Sequence, residues 1–511
     1  MLIVFFIIIV LVLYWYGTRT FHYWKEKGVK HDEPLPFLGN NFKQFIQKAS
    51  IGMMANEMYK KYPEEKVVGF YRATAPELII RDPEIAKRIL VSDFSSFHAR
   101  GLNPHRTVVE PLLQNLFFGE GDLWRLLRQR FTFAFSSGKL KAMFPLITKR
   151  AEKLKIITEE ITGRDFYDAR ELMARYTTDC IGECGFGINM DSLSEENNQF
   201  RRLGKRIFQR NLRDIVCSAL KFIFPELAKN LTLLTPELEK SMNKIVHAVL
   251  KERDNKPSGR NDFIDLLLEV KQKGNMIGES IEKKNADGVP EIVEMELDDM
   301  LLIAQVFLFF GAGFETSSSA SSYTLHQLAF NPDCQVKVQE EIDRVLEKYD
   351  NKLTYEAVKD MKYLEMAFQE AMRMYPAPGY LIRMCTVPEY TFPELNITVH
   401  DGVKMIIPIA AIQTDETYFS NPEQFDPERF RDGAKDNSKK FVYLPFGEGP
   451  RACVGARLGM MKSMAGLAAV LQNYSVEPAK CSKLKPDPDP AGIVTEGFVE
   501  GLPLKFKKRL R

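Results

Sequence analysis

FVYLPFGEGPRACVGARLGMMKSMAGLAAVLQ, residues 441–472, is the stretch on which the fold and the chemistry turn. Phe446, Gly449, Arg451, Cys453 and Gly455 stand at the offsets FxxGxRxCxG, and a run of good helix formers follows them. Two glycines and a proline before Cys453 permit a tight loop whose backbone closes around a ligand atom. A helix that starts just past the sulfur places its amide dipoles there and favours thiolate over thiol. Taken alone, one cysteine in a Gly-rich loop is more often a structural thiol than a ligand. Five positions at set offsets make an accidental occurrence improbable.

A second stretch, DDMLLIAQVFLFFGAGFETSSSASSYTLHQLAF (298–330), predicts one helix of about 50 Å, ended by Asn331 and Pro332. Its apolar part contains Gln305 and runs into Glu315, too short and too polar to span a bilayer, so it reads as a buried central helix. Gly311, Gly313 and the serine run invite a local defect. A defect beside Glu315 and Thr316 would leave room for a small ligand next to a carboxylate and a hydroxyl, the equipment of a proton relay. A plain Ser/Gly-rich kink is the alternative.

The cysteine loop resembles the haem-binding loop of the cytochrome P-450 family, in which a cysteine thiolate pushes electron density onto the iron and promotes O–O cleavage. The resemblance extends along most of the chain in family order, through WxxxR (Trp124, Arg128), AGFETS, ExxR (Glu370, Arg373), PERF (427–430) and the loop itself. It implies Cys453 as axial ligand of haem b (iron protoporphyrin IX), and Thr316 as the residue that handles oxygen and its proton supply. Glu315 would connect that supply to water, and Ala312 and Gly313 complete the motif. Phe446 and Gly449 belong to the cofactor loop. Trp124, Arg128 and Arg451 would hold the haem propionates, with Arg383 and Arg100 placed there by their distance from nearby motifs. Glu370, Arg373 and Arg429 would form a structural carboxylate–guanidinium cluster. AGFETSS, NPDCQVKVQEEI, PEQFDPERF and PFGEGPRACVG look most like the insect microsomal branch associated with plant toxins and insecticides. Asp415–Glu416 departs from the proline found there in many relatives and touches local loop geometry only.

The implied fold is mainly α with a small β-rich portion, the cytochrome P-450 fold with an N-terminal transmembrane helix. Helical periodicity from Ile51 to the 370s, then β-branched, proline-rich stretches past Tyr375, agree with it. Residues 252–296 read as surface loops around one short helix at FIDLLLEV. The expected organisation is a transmembrane anchor over 1–18, a basic, proline-containing hinge over 19–40, and a haem-thiolate monooxygenase domain over 41–511. Residues 1–16 carry no charge, and with Gly17 and Thr18 a helix would reach about 27 Å. No basic region precedes them and no small-residue cleavage site follows, and Arg19, Lys25, Lys27 and Lys30 favour a cytosol-facing body on the endoplasmic reticulum membrane. In that orientation the glycosylation-type triplets at Asn230 and Asn396 are irrelevant. The stretch RNLRDIVCSALKFIFPELAKNLTLL (210–234) is either an amphipathic flap on the bilayer or an ordinary core-facing helix pair.

Formal charge is +2 with both signs interspersed, which gives no stripe for nucleic acid. Seven scattered cysteines do not make a secreted disulfide framework, and Cys180 and Cys184 lack a second pair at zinc-finger spacing. The expected reaction is monooxygenation of a lipophilic small molecule. No GxGxxG follows a strand, so electrons from NADPH must arrive through a separate NADPH-cytochrome reductase, with cytochrome b5 as a further candidate partner. Lys435, Lys439, Lys440 and Arg125 are candidates for attracting an acidic reductase, or are ordinary surface charges. Pocket candidates are Phe307, Phe310, Ala377, Ile382, Ile493 and Val494. Two rival functions are a haem-thiolate isomerase or dehydratase without net oxygen use, and a non-enzymatic membrane haem sensor or carrier.

Overall fold

The computed structural model describes residues 1–188, 190–195, 199–209, 211–431, 440–492 and 494–509. In chain order its main elements are helix α1 (Leu2–Thr18), strands β1 (Val67–Arg72) and β2 (Ala75–Ile80), and helices α2 (Gly121–Thr132), α3 (Ala169–Ile181), α4 (Leu212–Ile223), α5 (Asp299–Phe330) and α6 (Lys362–Met374). Strands β3 (Leu381–Met384) and β4 (Lys404–Ile407) and helix α7 (Ala456–Asn473) complete the frame.

Helix α5 is the axis. The Asp298 carboxylate caps it by accepting the Leu301 N–H at 2.7 Å, and Asn331–Pro332 ends it. It is apolar on every side and buried over most of its length, with α3, α6 and α7 packed around it. Two hydroxyls of the buried serine run bond to the helix's own carbonyls, Ser318 to Glu315 O and Ser322 to Ser319 O (both 2.9 Å). The expected defect at Gly311 and Gly313 is not a break, since the helix runs through both. Gly313 instead permits close approach, because a Cβ there would collide with Ile181 of α3.

The β-rich portion is a four-stranded sheet in the order β1-β2-β4-β3. The β2/β4 pair is parallel, with Leu78 opposite Met405, and the others are antiparallel. Its apolar face and the segments across it bury Trp24, Tyr71, Leu78, Phe97 and Met405. The stretch over 19–40 therefore differs from the expected hinge. Trp24 is fully buried, its indole N–H donates to the Phe70 carbonyl at 3.2 Å, and the glycine at 69 leaves room for the ring. Burial of a Trp side chain outweighs the stiffness of Pro34 and Pro36 and fastens this stretch to β1.

A second difference lies in 276–295, expected as loop. Met276–Lys284 and Pro290–Met295 form an antiparallel hairpin lying on α2. It is held at the Asp122 carboxylate, which accepts from Ser280 Oγ (2.8 Å) and from the Ile281 N–H (2.7 Å).

Candidate active site

The cysteine loop is built from backbone turns. The Gly447 N–H donates to Leu444 O (2.9 Å), Ala452 N–H to Gly449 O (3.0 Å) and Cys453 N–H to Phe446 O (2.8 Å). Gly449 has φ +76°, and a Cβ on it would run into the Leu90 carbonyl, so only glycine lets the loop lie there. Phe446 is half-buried against the main core. Helix α7 starts three residues past the sulfur, at Ala456. Cys453 is surface-accessible, yet burial dominates its ionisation and pushes the thiol up, against a backbone bond from Gly455 and the charges of Arg128 and Arg100.

Four guanidiniums converge beside it. Arg451, 3% exposed, donates from Nε to His98 O and from Nη2 to Gly119 O (3.0 Å), and its guanidinium lies 4.3 Å from the centre of the Trp124 ring on α2. Arg100 donates to Phe117 O (2.7 Å) and Arg451 O (3.3 Å), Arg128 to Ala452 O (2.8 Å) and Arg383 to Ile382 O (2.8 Å). None of the four forms an ion pair among the described residues. Arg451 Nη1, Arg383 Nε and His98 Nδ1 are buried without acceptors. Burial first and mutual repulsion second push Arg451 down to about 7 and Arg383 well below the usual range. Arg100 falls to about 10 through burial and Arg128. Buried cations without counter-charge are costly, so this donor set fits an anionic ligand with more than one carboxylate. The two propionates of haem meet that need, with Cys453 available to its iron.

On α5, Ala312 is exposed, Gly313 and Thr316 are half-buried, and the Thr316 hydroxyl donates to Ala312 O at 2.7 Å. Glu315 does not share that face. It is buried, paired with Arg170 of α3, and accepts from Thr495 Oγ1 at 3.3 Å. The expected relay from Thr316 through Glu315 to water is thus corrected: consecutive helical side chains point about 100° apart, and Arg170 supplies a buried counter-charge on the other side.

The pocket candidates divide. Phe307 and Phe310 are core rather than lining, with Phe310 packed on Phe186 (5.8 Å) and Phe314 (6.4 Å). The accessible face of α5 is instead Leu308, Ala312 and Thr316, at i, i+4 and i+8. Sequence reading missed Leu308, although the four-residue spacing from Ala312 pointed to it. Ala377 and Ile382 are buried, Val494 lines a small cavity with Gly52, Gly379, Tyr380 and Glu496, and Ile493 lies outside the described residues.

Glu370 and Arg373 of α6 are fully buried and bidentate (2.8 and 2.9 Å), and Arg429 joins Glu370 at 3.3 Å. Backbone carbonyls of Gln413 and Pro422 take the remaining Arg373 donors, which fastens α6 to the segment before the cysteine loop. Lys440 is exposed, whereas Arg125 is paired with Glu279 (3.2 Å); Lys435 and Lys439 lie outside the described residues. Cys180 and Cys184 are buried free thiols, and no group of metal-ligating side chains forms elsewhere among the described residues.

The family model described as Cytochrome P450 matches residues 30–497. Among curated proteins, cytochrome P450 6B7 of Helicoverpa armigera is 36% identical over 476 residues, covering 93% of this chain and 92% of the relative. Cytochrome P450 6a2 of Drosophila melanogaster is 37% identical over 499 residues (96% of each), and cytochrome P450 6k1 of Blattella germanica 36% over 514 residues (98% and 95%). The chain belongs to the cytochrome P450 family. Membership makes it a haem-thiolate oxidoreductase of the monooxygenase type.

Proposed function

We propose that this protein inserts one oxygen atom from O2 into lipophilic small molecules, whether xenobiotics such as plant toxins and insecticides or endogenous lipids, with electrons from NADPH delivered by a partner reductase. The observation that carries this reading is the set of four guanidiniums without an ion-pair partner among the described residues, Arg383 and Arg451 buried and Arg100 and Arg128 half-buried, beside the accessible sulfur of Cys453. Haem bound there would supply the reductive activation of dioxygen. Cys453 would hold its iron, Trp124 and the guanidiniums of Arg100, Arg128, Arg383 and Arg451 would grip its propionates, and Phe446 and Gly449 would shape its loop. Thr316 Oγ1 holds a proton on the open face of α5, which it shares with the apolar Leu308 and Ala312. Apolar walls discriminate weakly, about 1–3 kcal/mol per methylene, which suits a broad substrate range.

The anchoring reading has support of its own. Leu2 to Trp15 of α1 are all exposed, and the guanidinium of Arg19 lies 3.9 Å from the centre of the Tyr16 ring at its end. Tyr16 also donates to Ile223 O (3.0 Å) and stacks on Phe224 (5.6 Å), so the C-terminal end of α4 meets that of α1. Leu212, Val216 and Leu220 of α4 and Leu227 just past its end are exposed. We place α1 across the endoplasmic reticulum membrane, with α4 on its cytosolic surface and the haem domain in the cytosol.

The test is the absorption spectrum of the reduced carbon monoxide adduct, with Cys453→Ser as control, followed by reconstitution with reductase and NADPH on lipophilic probes. A thiolate-type red-shifted band lost in the control, with oxygenated product, is expected. Its absence from the unmodified protein would falsify the reading.

A further inference from the structure

Lys462 belongs to α7, the helix that leads out of the cysteine loop, and is 2% exposed. Its Nζ donates to the Gly313 carbonyl at 2.6 Å and has no carboxylate partner among the described residues. The ionisable groups acting on it are Cys180 of α3 and Cys184 in the turn that follows. Burial pushes both thiols up, Cys180 to about 12, so both are neutral. Glu315, the carboxylate of the neighbouring turn of α5, is committed to Arg170. Burial has pushed Lys462 itself down to about 8. An unpaired buried cation costs stability that an apolar side chain of the same size would not.

The hydrogen bond suggests what this cost secures. Ala312 O is taken by Thr316 Oγ1 and Gly313 O by Lys462, so two successive carbonyls of α5 each receive a side-chain donor. Gly313 has no side chain because Ile181 presses on it, which leaves its carbonyl reachable from α7. We propose that Lys462 is a positioning residue for the monooxygenase reaction: it ties the Ala312–Thr316 turn to the helix that leads out of the Cys453 loop and so sets where the Thr316 hydroxyl stands relative to the sulfur. This rests on the reading above. Without the tie, proton supply at Thr316 is misplaced and NADPH is spent on hydrogen peroxide.

The experiment compares unmodified holoenzyme with Lys462→Met, Lys462→Gln and Lys462→Arg, reading Tm, the carbon monoxide band and product formed per NADPH. Lys462→Met should raise Tm at pH 7 by about 2 °C or more. It should keep the carbon monoxide band and lower product per NADPH about tenfold, the scale of a small misplacement of reacting groups. Lys462→Gln should lose coupling likewise, and Lys462→Arg, which can still donate, should retain most of it. The Tm advantage of Lys462→Met should close as pH rises from about 8 toward 10.5, where burial no longer holds an ammonium. Lower Tm in Lys462→Met, or unchanged coupling in both Met and Gln variants, overturns the proposal. Absence of the thiolate-type band from unmodified protein instead defeats the functional reading on which it rests.

Discussion

The Arg451 guanidinium lies 4.3 Å from the centre of the Trp124 ring, with its Nη1 buried and lacking an acceptor. Stacking and two backbone carbonyls orient the group but leave its charge uncompensated. A carboxylate arriving at Nη1 would form a charge-assisted hydrogen bond worth about 1.5–3 kcal/mol. Arg451→Leu should therefore weaken haem retention about tenfold or more. Haem content after dialysis of the purified variant checks this, and retention equal to the unmodified protein would remove Arg451 from the propionate site.

The Glu370–Arg373–Arg429 cluster has its two central members fully buried. Glu370→Ala leaves two guanidiniums facing a void and should cost about 3–5 kcal/mol. Denaturant unfolding of the holoenzyme measures it. Glu370→Leu combined with Arg373→Met removes the charges together and should recover part of the loss.

Glu496 supplies a pH signature. Burial pushes its carboxyl from 4.5 to about 7, and one of its oxygens is buried without a partner. The folded state then binds this proton more tightly than the unfolded state. The contribution is fully present below pH 4.5 and is lost as pH rises through about 7. Glu496→Gln should match the unmodified protein near pH 4.5 and exceed it by up to about 3 kcal/mol at pH 8. A stability difference independent of pH would contradict this assignment.

Leu308 and Phe310 sit two positions apart on α5 with opposite roles. Leu308→Phe, on the accessible face, should change the affinity for lipophilic probes about tenfold with little change in Tm. Phe310→Ala opens the core between Phe186 and Phe314 and should cost about 3–5 kcal/mol. Probe-induced spectral titration and thermal unfolding separate the two.

Motifs whose chemistry depends on spacing were legible before any coordinates. The cysteine loop, the Glu370–Arg373 pair and the limits of α5 are each local in sequence, and each lies as its pattern predicts. Features settled by distant partners were not. The hairpin over 276–295 depends on Asp122, and the direction of Glu315 on Arg170. The choice between Phe310 and Leu308 as lining could not come from hydrophobic periodicity, because α5 is apolar all round; the four-residue spacing from Ala312 selects Leu308 only once Ala312 is known to be accessible. Trp24 looked like part of a linker because its partner Gly69 lies far along the chain. Lys462 in GMMKSM carries no local signal of burial, which comes from Gly313 of a distant helix.

The same distant pairing bears on membrane attachment. Tyr16 joins the end of α1 to Ile223 and Phe224 at the end of α4, so two elements that expose apolar side chains meet at their C-terminal ends. Two apolar surfaces bind a bilayer independently, each with its own buried area. Deleting residues 2–18 should therefore leave measurable liposome binding. Adding Leu212→Ser and Leu227→Ser, both highly exposed in the structure, should abolish it without lowering Tm. Co-sedimentation with vesicles reads both steps. Complete release on deletion of α1 alone would show that α4 belongs to the water-facing surface.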